Sequence, residues 1–246
     1  MKIKVSDLYR IIVLDLKKHE DKKTAEEIKS YHKYSGYKSY GLRTPLVRNL
    51  LKQYKKDVQG LNCKDAFVLA QNLFVSHIEE QILAGNYVLQ LKRDCLTPSK
   101  FTYLDKALDH FMSWSTVDDF CVEGGKVLQP LLLKYPKEIF NLLRKWNKSK
   151  NRWKRRASVV AFTRKVGESG KFTKEALELS ENLVWDKEDL VRKAVGWCLK
   201  DVMRGDRQRV LEYVKGLQRR GVPSIITSYA IRDLKKEDKV KTIATR

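Results

Sequence analysis

Two short segments, Arg155-Arg156-Ala157 and Arg192-Lys193-Ala194, lie 37 residues apart, and each opens a similar apolar helical stretch. The second, within Asp189-Leu190-Val191-Arg192-Lys193-Ala194, resembles the conserved part of a HEAT repeat. Helix pairs recurring with a period of about 40 residues imply an α-solenoid. One pair cannot bury its apolar face alone, so neighbouring pairs must stack. The repeat therefore predicts an all-α fold of stacked antiparallel helix pairs, with a basic concave face.

The rest of the chain agrees with that expectation. Apolar spacing predicts helices over 6–19, 22–34, 45–58, 63–74, 77–94, 98–112, 115–134, 136–147, 151–167, 172–185, 187–203, 206–220 and 223–234. Ser6, Thr97-Pro98, Ser115 and Pro136 read as starts, and Gly205 and Gly221 as stops. No run alternates as a strand would. Residues 1–235 are expected to form a single domain, and 236–246 a charged tail. The stretch from Tyr34 to Pro45, rich in Tyr, Gly and Ser, breaks the helical pattern.

Lys and Arg number 51 against 30 Asp and Glu, a net charge of +21. Such an excess points to a polyanionic partner such as DNA, RNA or an acidic surface. The segment 144–165 carries ten Lys or Arg and no acidic residue. Arg152 and Arg156 share one helical face there, which suits phosphate contact better than a merely solvated face. Arg204, Arg207, Arg209, Lys215, Arg219 and Arg220 form a second basic patch that would extend the track.

The four cysteines, Cys63, Cys95, Cys121 and Cys198, lack metal-site spacing. They read as reduced core thiols, which implies an intracellular compartment: cytoplasmic in a prokaryote, nuclear in a eukaryote. No signal peptide or membrane-spanning run is evident. Gly124-Gly125-Lys126 lacks phosphate-loop spacing, and His77 and His110 read as ordinary helix residues.

Trp114-Ser115-Thr116-Val117-Asp118 sets an indole and a carboxylate four residues apart. Within 115–134, Val117, Phe120, Cys121, Gly124, Leu128 and Leu131 form the core stripe. Asp118 lies at its edge near Trp114, and Gly125 adds no side chain beside it. Asp118 is thus either a ligand-facing carboxylate or one favoured by the helix dipole. Asp119, with Glu123 and Lys126, reads as solvated. Between 187 and 203 the core stripe is Val191, Ala194, Val195, Cys198 and Val202. Trp197 points away from it with Lys193, Lys200 and Arg204, either as a second packing face or as a stacking surface for nucleic acid.

Four segments together resemble the AlkD-type alkylpurine DNA glycosylases, a HEAT-like repeat family. They are Gly41-Leu42-Arg43-Thr44-Pro45 followed by Arg48; Trp114-Ser115-Thr116-Val117-Asp118; Trp153-Lys154-Arg155-Arg156; and Lys193-Ala194-Val195-Gly196-Trp197. The resemblance implies a catalytic carboxylate at Asp118 and aromatic cleft walls at Trp114 and Trp197. It implies phosphate contact by Arg156, to which the charge pattern adds Arg152, Lys193 and Lys200. A family tyrosine on the second helix falls at Tyr31, although Tyr34 and Tyr37 are alternatives because the spacing to Gly41 differs by one residue. Ser115 stands where the family carries an additional Asp.

The implied activity is hydrolysis of the N-glycosidic bond of N3- and N7-alkylated purines in double-stranded DNA, by a monomer with no metal or redox cofactor and no membrane. A non-catalytic relative binding branched or damaged DNA is the alternative, and a protein-binding scaffold is a third reading.

Overall fold

The computed structural model describes residues 3–32, 36–122 and 126–235. Glu123, Gly124, Gly125, Tyr34 and the tail 236–246, on which expectations were placed above, lie outside the described residues. The regular elements of the described residues are helices, as the periodicity requires. Among the described residues, the sole β-type pairing is an isolated bridge between Lys38 and Ile78.

Packing divides the chain into two units, Met1–Leu131 and Leu132–Arg246. The first carries α1 (Val5–Lys18), α2 (Lys22–His32), α3 (Thr44–Leu51), α4 (Lys55–Gly60), α5 (Cys63–Phe74), α6 (Glu79–Leu91), α7 (Thr102–Leu108) and α8 (Trp114–Cys121). The unit boundary falls within α9 (Leu128–Lys134). The second unit continues with α10 (Pro136–Asn147), α11 (Arg152–Val160), α12 (Arg164–Glu168), α13 (Thr173–Glu181), α14 (Asp189–Gly205), α15 (Arg207–Arg219) and α16 (Ser224–Ala230).

In the first unit, α1 buries Leu8, Ile12 and Leu16, one residue per turn, and packs on α3 and α5. The central α6 is buried almost all round, so its polar residues need internal partners. In the second unit the long α14 is central and packs against α11, α12, α13, α15 and α16. The stripe Val191, Ala194, Val195, Cys198 and Val202 is buried as its spacing requires.

The repeat is written into the polar contacts. In the first unit, Gln71 bonds His110 across 39 positions, Asn86 bonds Asp119 across 33, and Lys92 bonds the Leu61 carbonyl across 31. In the second, Arg144 bonds Glu178 across 34, and the Arg164 amide bonds Asp201 across 37. Within each unit these bonds join groups 31 to 39 positions apart, close to one period.

Several boundaries differ from those expected. The stretch 115–134 is not one helix: α8 stops at Cys121, and α9 starts at Leu128. Its stripe residues Val117, Phe120, Cys121, Leu128 and Leu131 are nonetheless all buried. The cap of α8 is Ser113, whose hydroxyl accepts from the Thr116 amide, rather than Ser115. Lys4, not Ser6, precedes α1. The stretch 151–167 is two helices: α11 ends at Val160, and α12 starts at Arg164, which has a φ of 54° and whose amide donates to buried Asp201. His77 and His110 lie in loops, where the His77 Nδ1 meets the His110 carbonyl.

The cysteine expectation is corrected for one pair. Cys63 and Cys95 form a disulfide, with Cα atoms 5.5 Å apart. The antiparallel α5 and α6 bring the start of one beside the end of the other, where Lys92 Nζ also donates to the Gln59 and Leu61 carbonyls. The cysteine-based argument for a reducing compartment therefore fails. Cys121 and Cys198 are free and buried, and burial pushes the Cys198 thiol up to about 12. Among the described residues, no helix is long and apolar enough to cross a membrane.

Candidate active site and nucleic-acid interface

Trp114 is the first residue of α8, and Asp118 follows one turn later on the same side. Asp118 is only 7% exposed, whereas Trp114 is half-buried. The end of α2 delivers Tyr31 and His32 to this indole. The Tyr31 ring meets Trp114 edge-on at 6.3 Å between centroids, and the His32 ring lies 5.7 Å away. His32 in turn stacks on Tyr37 at 4.3 Å. Tyr31 and Tyr37, two of the alternatives read from sequence, therefore belong to one aromatic cluster with Trp114. Tyr31 is 71% exposed and Tyr37 is buried. Burial lowers the His32 pKa, which favours a neutral imidazole beside the indole.

Two adjacent carboxylates at the start of α6 position this cluster from below. Glu79 accepts from the Ser113 hydroxyl at 2.7 Å and also from the Ser115 hydroxyl. It thereby anchors the first turn of α8 on both sides of Trp114. Burial pushes the Glu79 carboxyl up to about 7, against the lowering effect of the serine bonds. Glu80 accepts from Ser39 Oγ at 2.6 Å and from the Tyr40 and Leu42 amides, both at 2.9 Å. This clamps the loop that carries Tyr37. Gly41 completes the loop with φ of +85°, and a Cβ there would lie 2.1 Å from the Asp21 carbonyl oxygen. The glycine of Gly41-Leu42-Arg43-Thr44-Pro45 is thus a steric requirement.

Asp119 corrects the sequence reading. It is buried, pairs with Arg48 at 2.9 Å and accepts from Asn86 Nδ2 at 2.9 Å. The expectation of a solvated residue considered one helix alone, whereas α3 and α6 cover that face. Arg48 thereby ties α3 to α8.

In the second unit, Trp197 is half-buried on α14, with the Arg164 guanidinium 5.2 Å from its ring centroid. Gly196 beside it permits α14 to meet α16, since a Cβ would lie 2.7 Å from Tyr229 Cβ. Arg156 is 5% exposed, and its Nη1 donates to the Leu190 carbonyl at 2.5 Å. That bond holds α11 against the start of α14. Lys193 is exposed. Arg152 pairs with Glu188 at 3.1 Å and lies 5.2 Å from the Trp153 ring.

Lys200 differs from the expected phosphate ligand. It is 7% exposed, and its ammonium pairs with Asp201 at 2.8 Å and with Asp233 at 3.2 Å. Its charge is already compensated inside the unit. The second basic patch is likewise partly internal: Arg204 pairs with Glu168 and Asp233, Arg219 with Glu212, and Arg220 with Glu181.

Residues 12–234 match the family model described as DNA alkylation repair enzyme. The chain belongs to the DNA alkylation repair enzyme family. A solved structure described as a predicted DNA alkylation repair enzyme from Enterococcus faecalis shares its fold, with a TM-score of 0.71. The match covers 88% of this chain and 97% of that one at 15% identity. No curated protein matches the chain. Sequence reasoning missed three residues that shape the site of this DNA alkylation repair family member: His32, Glu79 and Asp119. His32 stands among tyrosines, which was a readable signal. The roles of Glu79 and Asp119 arise from contacts 33 to 71 positions away, which no local pattern announces.

Proposed function

We propose that the chain is a monofunctional DNA glycosylase that releases N3- and N7-alkylated purines from double-stranded DNA. The observation that carries this is Asp118, a nearly buried carboxylate one helical turn from an indole that meets Tyr31 and His32. An alkylated purine is cationic, so its glycosidic bond breaks with the electron pair leaving on a neutral base. Positive charge then develops at the deoxyribose. A carboxylate beside that sugar stabilises the charge and orients the incoming water. The water oxygen bonds to the sugar carbon, its proton is lost, and an abasic site remains.

Trp114 and Tyr31 supply aromatic faces that favour a cation, and Trp197 on α14 supplies an indole for stacking on nucleic acid. Arg156 and Lys193 contact the phosphate backbone; Arg152 and Lys200 are not included, because carboxylates already hold both. The chemistry of these groups requires no metal or redox cofactor.

The test is release of free 3-methyladenine and 7-methylguanine from methylated duplex DNA by wild type and Asp118→Asn, with DNA binding followed in parallel. Release by wild type and its loss in the variant, with binding retained, is the expected result. Equal release by both would sink the role of Asp118. Binding without release by either protein would turn the reading to a non-catalytic damage-binding relative.

A further inference from the structure

Trp185 is 59% exposed, yet it is not on a loose loop. The turn between α13 and α14 buries Leu183 and Val184 on one side of it. On the other side, Arg155 grips Asp186 through two bonds, of 2.5 and 3.1 Å. The Asp186 amide returns to the Leu183 carbonyl at 3.0 Å, and Asp186 Oδ1 accepts from the Glu188 amide at 2.9 Å. The indole is therefore held outward between two anchors. Among the described residues its ring makes no aromatic or cation contact.

Single exposed apolar side chains are ordinary on protein surfaces. The surrounding charge sets this one apart. Arg155 Nη1 also donates to the Ser149 and Lys150 carbonyls, at 2.9 and 3.0 Å, and so joins the loop before α11 to the loop before α14. The acids of this joined surface are paired: Asp186 with Arg155, Glu188 with Arg152, and the exposed Asp189 with Arg192. The exposed ammonium groups of Lys150 and Lys187 remain, and among the described residues neither forms an ion pair. A rigid indole flanked by free cations is complementary to a sugar–phosphate backbone.

We propose that Trp185, with Lys150 and Lys187, forms a second DNA-docking surface, in which the indole packs against a sugar or base face and the lysines neutralise neighbouring phosphates. This rests on the DNA-binding reading above but not on the role of Asp118. The surface is preorganised by Arg155, so little ordering cost opposes binding.

The test uses the full chain and a fluorescein-labelled duplex, followed by anisotropy over a range of salt. Trp185→Ala should weaken binding about 5-fold, the low end of aromatic–base stacking on single strands, because an intact duplex offers the indole sugar faces. The Lys150→Ala/Lys187→Ala double variant should reduce the log–log salt slope by about two. Both variants should melt with the wild type, because the substituted side chains are exposed. In the wild type, iodide should quench the fluorescence that Trp185 contributes, and duplex DNA should protect it. Wild-type affinity in Trp185→Ala, or quenching unaffected by DNA, overturns this proposal while leaving the glycosylase reading intact. Failure of wild type to bind duplex DNA overturns both, and points to a protein partner for the exposed indole.

Discussion

The Glu79 carboxylate accepts a 2.7 Å hydrogen bond from the hydroxyl of Ser113, the residue that caps the helix carrying Trp114 and Asp118. A buried acid at the floor of the site thus sets where that helix begins. It also makes the position of α8 sensitive to protonation.

Burial raises the Glu79 pKa from 4.5 to about 7, so folding favours the protonated acid. Its contribution is complete below the unfolded value and is lost as pH rises through 7. Relative to Glu79→Gln, the wild type should lose about 3 kcal/mol of stability between pH 4.5 and 8, at 1.36 kcal/mol per unit. Urea denaturation of both proteins across that range measures the difference. A constant difference would show that Glu79 does not titrate in this window.

The Cys63–Cys95 disulfide closes a loop of sequence separation 32. Removing it by Cys63→Ser/Cys95→Ser should cost about 4 kcal/mol in the chain-entropy account. Thiol titration of the unreduced, denatured protein should find the two groups of Cys121 and Cys198. Four reactive thiols would mean that the bond does not form.

Gly196→Ala tests a contest between two effects. Alanine favours an exposed helix by about 1 kcal/mol over glycine. Here, however, its Cβ would lie 2.7 Å from Tyr229 Cβ and 2.8 Å from the Ile226 carbonyl oxygen. Overpacking of this kind costs about 1–3 kcal/mol. A lower melting temperature is expected. A higher one would show that α16 yields readily.

Asp119→Ala should destabilise the fold by about 2–4 kcal/mol, since it strips a buried carboxylate from Arg48 and Asn86. The half-exposed Arg48 keeps the value below that of a fully buried pair. Chemical denaturation reads the loss directly. No change would mean that water replaces the carboxylate at no cost.

The Lys193→Ala variant should flatten the salt dependence of DNA binding by about one unit of slope, as expected for one lost phosphate contact. Arg156→Ala should do the same and also lower stability, because Arg156 bonds the Leu190 carbonyl. Unchanged slopes would remove both residues from the interface.

Much of this protein was legible because helix formation is local. The stripes of α8 and α14, Pro136 at the start of α10 and Gly221 beyond α15 follow from residues within a few turns of one another. The motif around Trp114 and Asp118 was readable for the same reason, as was the 37-residue repeat.

Other properties depended on which helix arrives from another repeat. Asp119 on its own helix looks like a surface acid, and only α3 and α6 make it a buried partner of Arg48. Lys200 looks like a cation offered to DNA until Asp201 and Asp233 hold it. Cys63 and Cys95 lack any telling spacing until α5 and α6 lie side by side. The sequence by itself determined the helices and the family pattern, because backbone periodicity is set by neighbours along the chain. Tertiary structure decided which charges remained available and which acid was buried, because those energies depend on groups on other helices, 33 to 71 positions away for the contacts of Glu79, Asp119 and Asp233.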